Sequence, residues 1–308
     1  MVWKKLGLLF DGSQAENWNH NYAALPVVSE INGNNVKVYF SSRDAKNVSS
    51  VFSLWLNINT LNVEYVSSEP VFAAGELGCF DDSGVMATSL IRIDDFEYMY
   101  YIGWNLGVTV PFRNSIGLAR RKIGEEFFTR VYNGPILDRT PNEPHFCASC
   151  HVIKDLGIYR MWYLSCTGWS LMSDGKPRHN YHIKYAESND AVNWTRSGKI
   201  ALDFADKYEY AISVLRVIKF SDQDYQMWFS SRGTKLSEAY HIRHAVSKNG
   251  ITWKRQDNTL GLKPSKFGWD SEMVEYPELF VYNTNLFMLY NGNGYGKSGF
   301  GMARLINR

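Results

Sequence analysis

YRMWYLSCTGW at Tyr159–Trp169 and YHIKYAESNDAVNWTR at Tyr181–Arg196 decide the fold, because this pair of segments returns later in the chain. Tyr159–Ser165 is rich in aromatic residues and ends at a Cys-Thr-Gly turn signal; His182–Glu187 alternates until the Ser-Asn-Asp cluster at 188–190 breaks it; a third strand centres on Trp194. YQMWFSSRG at 225–233 repeats the first segment, and YHIRHAVSKNGITWKR at 240–255 repeats the second, down to the closing Trp-x-Arg.

The same unit can be traced five times. Its aromatic segments are VKVYFSSRD (36–44), YMYYIGW (98–104), YRMWYLS (159–165), YQMWFSSR (225–232) and LFMLYNGNG (286–294). The aligned markers Phe40, Tyr101, Tyr163, Phe229 and Tyr290 lie 61, 62, 66 and 61 residues apart. Each is followed by an Ala- or Leu-bearing strand: SLWLN, IGLAR, IKYAE, IRHAV and GMARL. A period near 60 with about four strands per unit is the pattern of a β-propeller. The expectation is all-β: residues 1–308 as one five-bladed β-propeller domain of four-stranded antiparallel blades, with Lys5–Phe10 completing the last blade.

Composition narrows the function classes. Thirty-three basic against 31 acidic residues give a net charge of +2, so no nucleic-acid-binding surface is implied. The apolar run Leu6–Phe10 is too short for a signal-peptide core, and no run approaches a membrane span. A cytoplasmic chain without membrane contact is expected.

Three motif matches are set aside. Cys147-Ala-Ser-Cys150-His151 has the letters of a haem attachment site, but on an inner strand the two thiols are expected to alternate faces. Four cysteines in such a chain read as free thiols, with no cofactor and no metal. The sequons Asn47-Val-Ser49 and Asn193-Trp-Thr195 have no meaning without export, and NGNGYGKSGFG (291–301) lacks the strand–loop–helix setting of a phosphate loop.

Counting back 19 or 20 residues from each marker reaches His20, Asp81, Glu143, Glu209 and Ser271, just before each inner strand. Asp82, Asp270, Glu272 and Glu275 are neighbours. Inner-strand starts gather at one mouth of a propeller channel. The ends of the second strands reach the same face with Arg43, Trp104, Trp169, Arg232 and Asn293, and Arg113 flanks them in a loop. A cup of carboxylates, arginines and tryptophans suits a sugar, since indole faces stack on C–H surfaces and paired carboxyls can do acid–base work. Asp82, Glu143 and Glu209 are the candidate catalytic carboxylates. They are expected to share one cavity with Arg43 and Arg232 on its wall.

Through its blade repeats, and blade openings such as FDDSGVMATSLI, YAISVLRVI and GWDSEMVEYPELF, the chain resembles the five-bladed propeller glycosidases of glycoside hydrolase families 43, 32, 68 and 130. In the hydrolase families the first three blades supply an Asp base or nucleophile, an Asp stabiliser and a Glu acid. The resemblance gives Asp82 (or Asp81) the second role and Glu143 the third. Blade one departs from the pattern: it offers His20 and Asn21 where the family has Asp, with Asp11 and Glu16 further upstream. Three readings follow. One is a hydrolase or transglycosylase of oligosaccharides or glycosides, with Glu143 as acid and Asp82 in support. Another is a phosphorolytic relative with Asp82 as acid and phosphate held by Arg43, Arg113, Arg232 and His20. The third is a propeller that binds carbohydrate without turning it over.

Overall fold

The computed structural model describes residues 1–13, 20–234, 237–258 and 262–307, and within them every regular element is a β-strand. Glu16 falls outside the described residues. After β1 (Val2–Phe10) come β2 (Asn21–Asn32), β3 (Asn35–Arg43), β4 (Ser49–Asn57) and β5 (Val63–Val66), hydrogen-bonded in that order. The next sheet is β6 (Val85–Ile93), β7 (Phe96–Leu106), β8 (Phe112–Lys122) and β9 (Thr129–Arg130). Two further antiparallel sets follow: β10 (Cys147–Asp155), β11 (Ile158–Leu171), β12 (Pro177–Ser188) and β13 (Thr195–Leu202), then β14 (Ala211–Ser221), β15 (Asp224–Arg232), β16 (His241–Ser247) and β17 (Lys254–Arg255). A single parallel pair, Tyr181 with Ala211, joins them into one eight-stranded sheet. The last sheet is β18 (Glu275–Tyr282), β19 (Asn285–Asn291) and β20 (Phe300–Asn307), with β1 as its outermost strand. The pairing expected for Lys5–Phe10 is present: Lys5 lies opposite Ala303 and Phe10 opposite Phe300.

Register is fixed at the inner hairpins by two-residue loops. Asn32 pairs with Asn35, Ile93 with Phe96, Asp155 with Ile158, Ser221 with Asp224 and Tyr282 with Asn285. The Leu156–Gly157 loop needs left-handed backbone at both positions (φ 51 and 86), and the glycine supplies the second without a Cβ clash.

The first strands touch in a closed series: β2 with β6, β6 with β10, β10 with β14, β14 with β18, and β18 with β2. Flanked on both faces, the second strands are buried without alternation and mostly apolar in their middle, with polar residues such as Lys37, Glu97, Arg160 and Gln226 buried near their starts. Val36–Ser42 and Tyr225–Ser231 are buried throughout. The apolar core divides into clusters that fill the gaps between neighbouring units. Val27 and Tyr39 meet Ala87 and Met99 in one, and Trp3 and Met288 meet Trp228 in another.

Each first strand carries a β-bulge near its start. The register shifts fall between Ala24 and Val27, Ala87 and Ser89, Cys147 and Cys150, Ser213 and Leu215, and Glu275 and Glu278. A bulge strands backbone N–H groups, and the preceding unit satisfies several of them. Asn291 Oδ1 accepts from Leu25 N (2.9 Å), Ser149 Oγ from Val214 N (3.3 Å) and Ser230 Oγ from Tyr276 N (2.7 Å). These bonds tie unit to unit around the ring.

The bulge also corrects the expectation for the cysteines. The inserted residue cancels the alternation, so Cys147 and Cys150 enter the same inter-unit core. Cys147 Sγ donates to Leu137 O and Cys150 Sγ lies by Thr88 Oγ1. No cysteine forms a disulfide. Burial pushes the thiols of Cys147 and Cys150 up to about 12 and that of Cys166 up to about 11, whereas Cys79 is partly exposed. Ellman's reagent is therefore expected to titrate Cys79 alone in the native protein, and the other three only on denaturation. Rapid reaction of a second thiol would contradict this packing.

Candidate functional site

At the end of the ring where the first strands begin and the second strands finish lies an axial pocket of about 350 Å³. Bulged residues form its floor. Leu25, Val214 and Tyr276 line it with positive φ (50, 27 and 55). Such backbone costs a non-glycine residue about 1–3 kcal/mol and concentrates at functional sites.

Arg43 and Arg232, each closing its second strand three residues after the marker, both line this pocket. The Arg43 guanidinium lies over Tyr22 (5.1 Å) and Trp104 (5.6 Å) and donates to Asn47 Oδ1. Arg232 is enclosed by the rings of Tyr240 (4.8 Å), Tyr210 (5.3 Å) and Tyr295 (5.7 Å). Its Nη1 donates to Tyr295 OH at 2.8 Å, and its Nη2 lies 3.2 Å from His179 Nε2. Arginine has no acceptor, so His179 Nε2 accepts here and the imidazole is neutral. Burial, then Arg232 and Arg178, bring the His179 pKa down to about 4. His179 stacks on Tyr181 at 4.8 Å, and the Tyr181 hydroxyl hydrogen-bonds that of Tyr240.

Behind this wall stands Glu275, fully buried, its carboxyl group beside the Tyr276 side chain and the Tyr295 backbone. Burial pushes its pKa well above the usual carboxylate range, against the pull of Arg232 and of hydrogen bonds from Tyr276 and the Tyr295 backbone. It supports the pocket without lining it.

The ring of acids before the first strands has another job. Asp81 accepts from Arg130 Nη2 (2.7 Å), Arg130 Nε (2.9 Å) and Tyr101 OH (3.1 Å). Glu143 accepts from Tyr163 OH (3.1 Å) and Ser165 Oγ (3.0 Å), with Lys184 Nζ at 3.7 Å and Arg196 Nη1 at 3.9 Å. Arg255 takes both oxygens of Glu209, at 2.7 and 2.8 Å, while lying over Phe229. Asp270 accepts from Tyr290 OH (3.0 Å) and Lys5 Nζ (2.5 Å). Each acid thus meets a base from its own unit's outer strands; Asp81, Glu143 and Asp270 also accept from the tyrosine marker of their unit, and in the fourth unit the base Arg255 lies over the marker Phe229. It is a clasp across the blade, and the slot before β18 belongs to Asp270 rather than Ser271. His20, in the corresponding slot before β2, packs against Phe52 at 4.8 Å.

The expectation of a shared cavity is accordingly corrected: Arg43 and Arg232 line the axial pocket, while Asp82, Glu143 and Glu209 do not. Asp82 lies in a loop, accepting from Asn105 Nδ2 (2.7 Å), Gly78 N (3.0 Å) and Ser83 Oγ (2.9 Å). Burial raises its pKa, but these bonds outweigh it and hold the carboxylate below the usual range. Arg113 and Trp169 line a neighbouring cavity of about 750 Å³ that shares Asn114 and Phe146 with the axial pocket. Trp104 Nε1 donates to Ser49 Oγ (2.9 Å), and Glu272 is exposed beside Asn293. Among the described residues no His, Cys, Asp and Glu group could hold a metal ion, and no helix is long and apolar enough to cross a membrane.

No protein-family model matches the sequence. Two Mycobacterium tuberculosis proteins do, "Uncharacterized protein Rv1502" of strain H37Rv and "Uncharacterized protein MT1551" of strain CDC 1551, each 38% identical over all 308 residues and along the full length of both proteins. The protein belongs to their family. Solved structures similar to this family member are glycosidases of low identity, and they establish its fold. One described simply as "Glycoside hydrolase" matches with TM-score 0.75 at 16% identity, covering 97% of this sequence and 90% of its own. A thermostable family-43 glycoside hydrolase matches with TM-score 0.68 at 17% identity (94% and 91% covered). The α-L-arabinofuranosidase PaAbf62A of Podospora anserina, in complex with cellotriose, matches with TM-score 0.67 at 11% identity (99% and 97% covered). The family member is thus all-β, with the fold of the propeller glycosidases.

Sequence reasoning missed His179, Tyr181, Tyr240 and Tyr295, which complete the axial pocket. His179 is not repeated in the other units, so the alignment that exposed the acids could not expose it. The clasp bases did leave a signal: the repeated Trp-x-Arg holds Arg196 and Arg255, and Phe128-Thr-Arg130 is its third copy.

Proposed function

We propose that this protein is a carbohydrate-active enzyme of the glycoside hydrolase type, a single domain of five blades that takes its glycoside or oligosaccharide at the axial pocket. The closed series of first strands, with the eight-stranded sheet divided at its one parallel pair, supports the blade count. The observation that carries the functional reading is the pocket itself. On a glycosidase fold, the two arginines, His179 and a set of tyrosine rings converge where the ring opens. Tyrosine faces suit sugar C–H surfaces, and the hydroxyl and guanidinium donors suit ring hydroxyls.

One observation favours a second reading, a propeller that binds a glycan without cleaving it. No aspartate or glutamate lines the pocket, and of the acids expected to be catalytic Glu143 and Glu209 are engaged in clasps and Asp82 is held within its own loop. A screen of aryl glycosides and oligosaccharides, with and without phosphate, separates the readings. Turnover supports the enzyme, phosphate dependence the phosphorolytic form, and binding without turnover the lectin-like form. For an active substrate, Arg232→Met is expected to lower kcat/KM at least a hundredfold. Glu143→Gln, which keeps the clasp's shape, is expected to stay within about tenfold of wild type. A hundredfold loss in a folded Glu143→Gln protein would move the chemistry to the acid ring.

A further inference from the structure

We infer that the axial pocket is built for a sugar bearing an anionic group, a carboxylate or a phosphate monoester, clamped between Arg43 and Arg232. This inference rests on the carbohydrate reading above and names the substrate class.

The argument starts from where the arginines have no carboxylate. Five buried or half-buried arginines elsewhere are paired, Arg121 with Glu97, Arg160 with Asp155, Arg216 with Glu278, Arg130 with Asp81 and Arg255 with Glu209, whereas the half-buried Arg178, Arg243 and Arg304 form no ion pair among the described residues. Neither Arg43 nor Arg232 takes part in an ion pair of the described residues. Their polar partners are neutral: Asn47 for Arg43, Tyr295 and His179 for Arg232. Arg232 Nε is buried without a hydrogen-bond partner. Guanidinium cannot shed its charge, and holding it out of water without a counter-ion is costly. Glu275, the acid nearest in effect to Arg232, lies beyond ion-pair distance and behind the pocket wall.

The two arginines reach the same cavity from equivalent positions in different units, each with its guanidinium over aromatic rings, Tyr22 for Arg43 and Tyr240 for Arg232. Planar forks held in this way match the oxygens of a carboxylate or a phosphate. About 350 Å³ is at the low end of the range for small-molecule sites, roughly 300–1,000 Å³, which suits one charged sugar residue rather than a long chain. Tyr22, Tyr240 and Tyr295 supply the rings beside it.

The test is calorimetric titration of the purified protein with glucuronic acid, glucose 6-phosphate, glucose and inorganic phosphate at two salt concentrations. A charged sugar is expected to bind at least tenfold more tightly than glucose, and more weakly at high salt. Arg43→Met and Arg232→Met should each lose at least tenfold for the charged sugar with little change for glucose. Lys122→Met, at an exposed position at the opposite end of β8 from the pocket residues Phe112 and Asn114, should match wild type. Arg232→Lys, which keeps a charge but not the fork, should fall between, and guards against a variant that fails only by misfolding. Preference for glucuronic acid identifies a carboxylate, and preference for glucose 6-phosphate a phosphate ester. Equal binding of glucose and both charged sugars overturns the clamp and leaves the carbohydrate reading in place. Binding of inorganic phosphate with every sugar silent overturns both.

Discussion

Arg130→Met is expected to destabilise the protein by about 3–5 kcal/mol, measured as a fall in the denaturant midpoint at unchanged slope. Asp81 has no exposed surface, and Arg130 supplies two of its hydrogen bonds from β9, the outermost strand of the same blade. Without the guanidinium, the carboxylate must stay buried without its counter-charge or the blade must open to let water reach it. Either route costs far more than a surface ion pair contributes. The companion variant Asp81→Asn/Arg130→Met removes the charge along with its partner and should recover most of the loss, because Tyr101 OH can still donate to the amide oxygen. Glu143→Gln should be milder, since hydroxyls hold Glu143 more closely than its bases do. A loss below about 1 kcal/mol for Arg130→Met would show that the clasp contributes little to the fold.

Acid should weaken the protein over an unusually high window, between about pH 6.5 and pH 4. Burial, with Arg216 second, holds the His151 pKa well below the usual imidazole range, and His179 is brought down to about 4. The unfolded chain takes up protons on both imidazoles as pH falls through 6.5, while the folded state refuses them. Stability is therefore fully present above 6.5 and is lost as pH falls toward the folded values. A depression from 6.5 to about 4 corresponds to roughly 3 kcal/mol for His179 alone. His151 has a structural reason to resist: its Nδ1 accepts the Val217 N–H (3.1 Å), a bond between neighbouring first strands that protonation would break. A Tm profile across this range should slope downward toward acid. His151→Gln, which offers an acceptor without a proton-binding ring, should flatten it. A flat wild-type profile would contradict the neutral assignment of both histidines.

The ring's repeat was legible in the sequence because packing on two sides buries the second strands on both faces and gathers apolar and aromatic residues around one marker. The acid twenty residues before that marker was legible too, but its purpose was not. A recurring carboxylate reads the same whether it faces a channel or a tyrosine hydroxyl, and its base comes from outer strands as short as β9 and β17. The face assigned to Cys150 failed because one inserted residue reverses strand parity, and no residue type announces a bulge. Arg43 and Arg232 were found from position alone. His179 was not, because a site placed on the axis of a pseudo-repeat takes a different side chain from each unit.

The seam between β1 and β20 has a further consequence, for the order of assembly. β1 is made before β2–β20, yet it is the outermost strand of the last unit, with Val2 opposite Asn307. It must stay without this partner until β20 has been made. Closing so distant a contact is entropically slow, and until then β20 keeps an open edge and Lys5 is absent from Asp270. During synthesis the protein therefore passes through an open horseshoe, and final closure is the step at which chaperones or a second copy offering the same strand would compete.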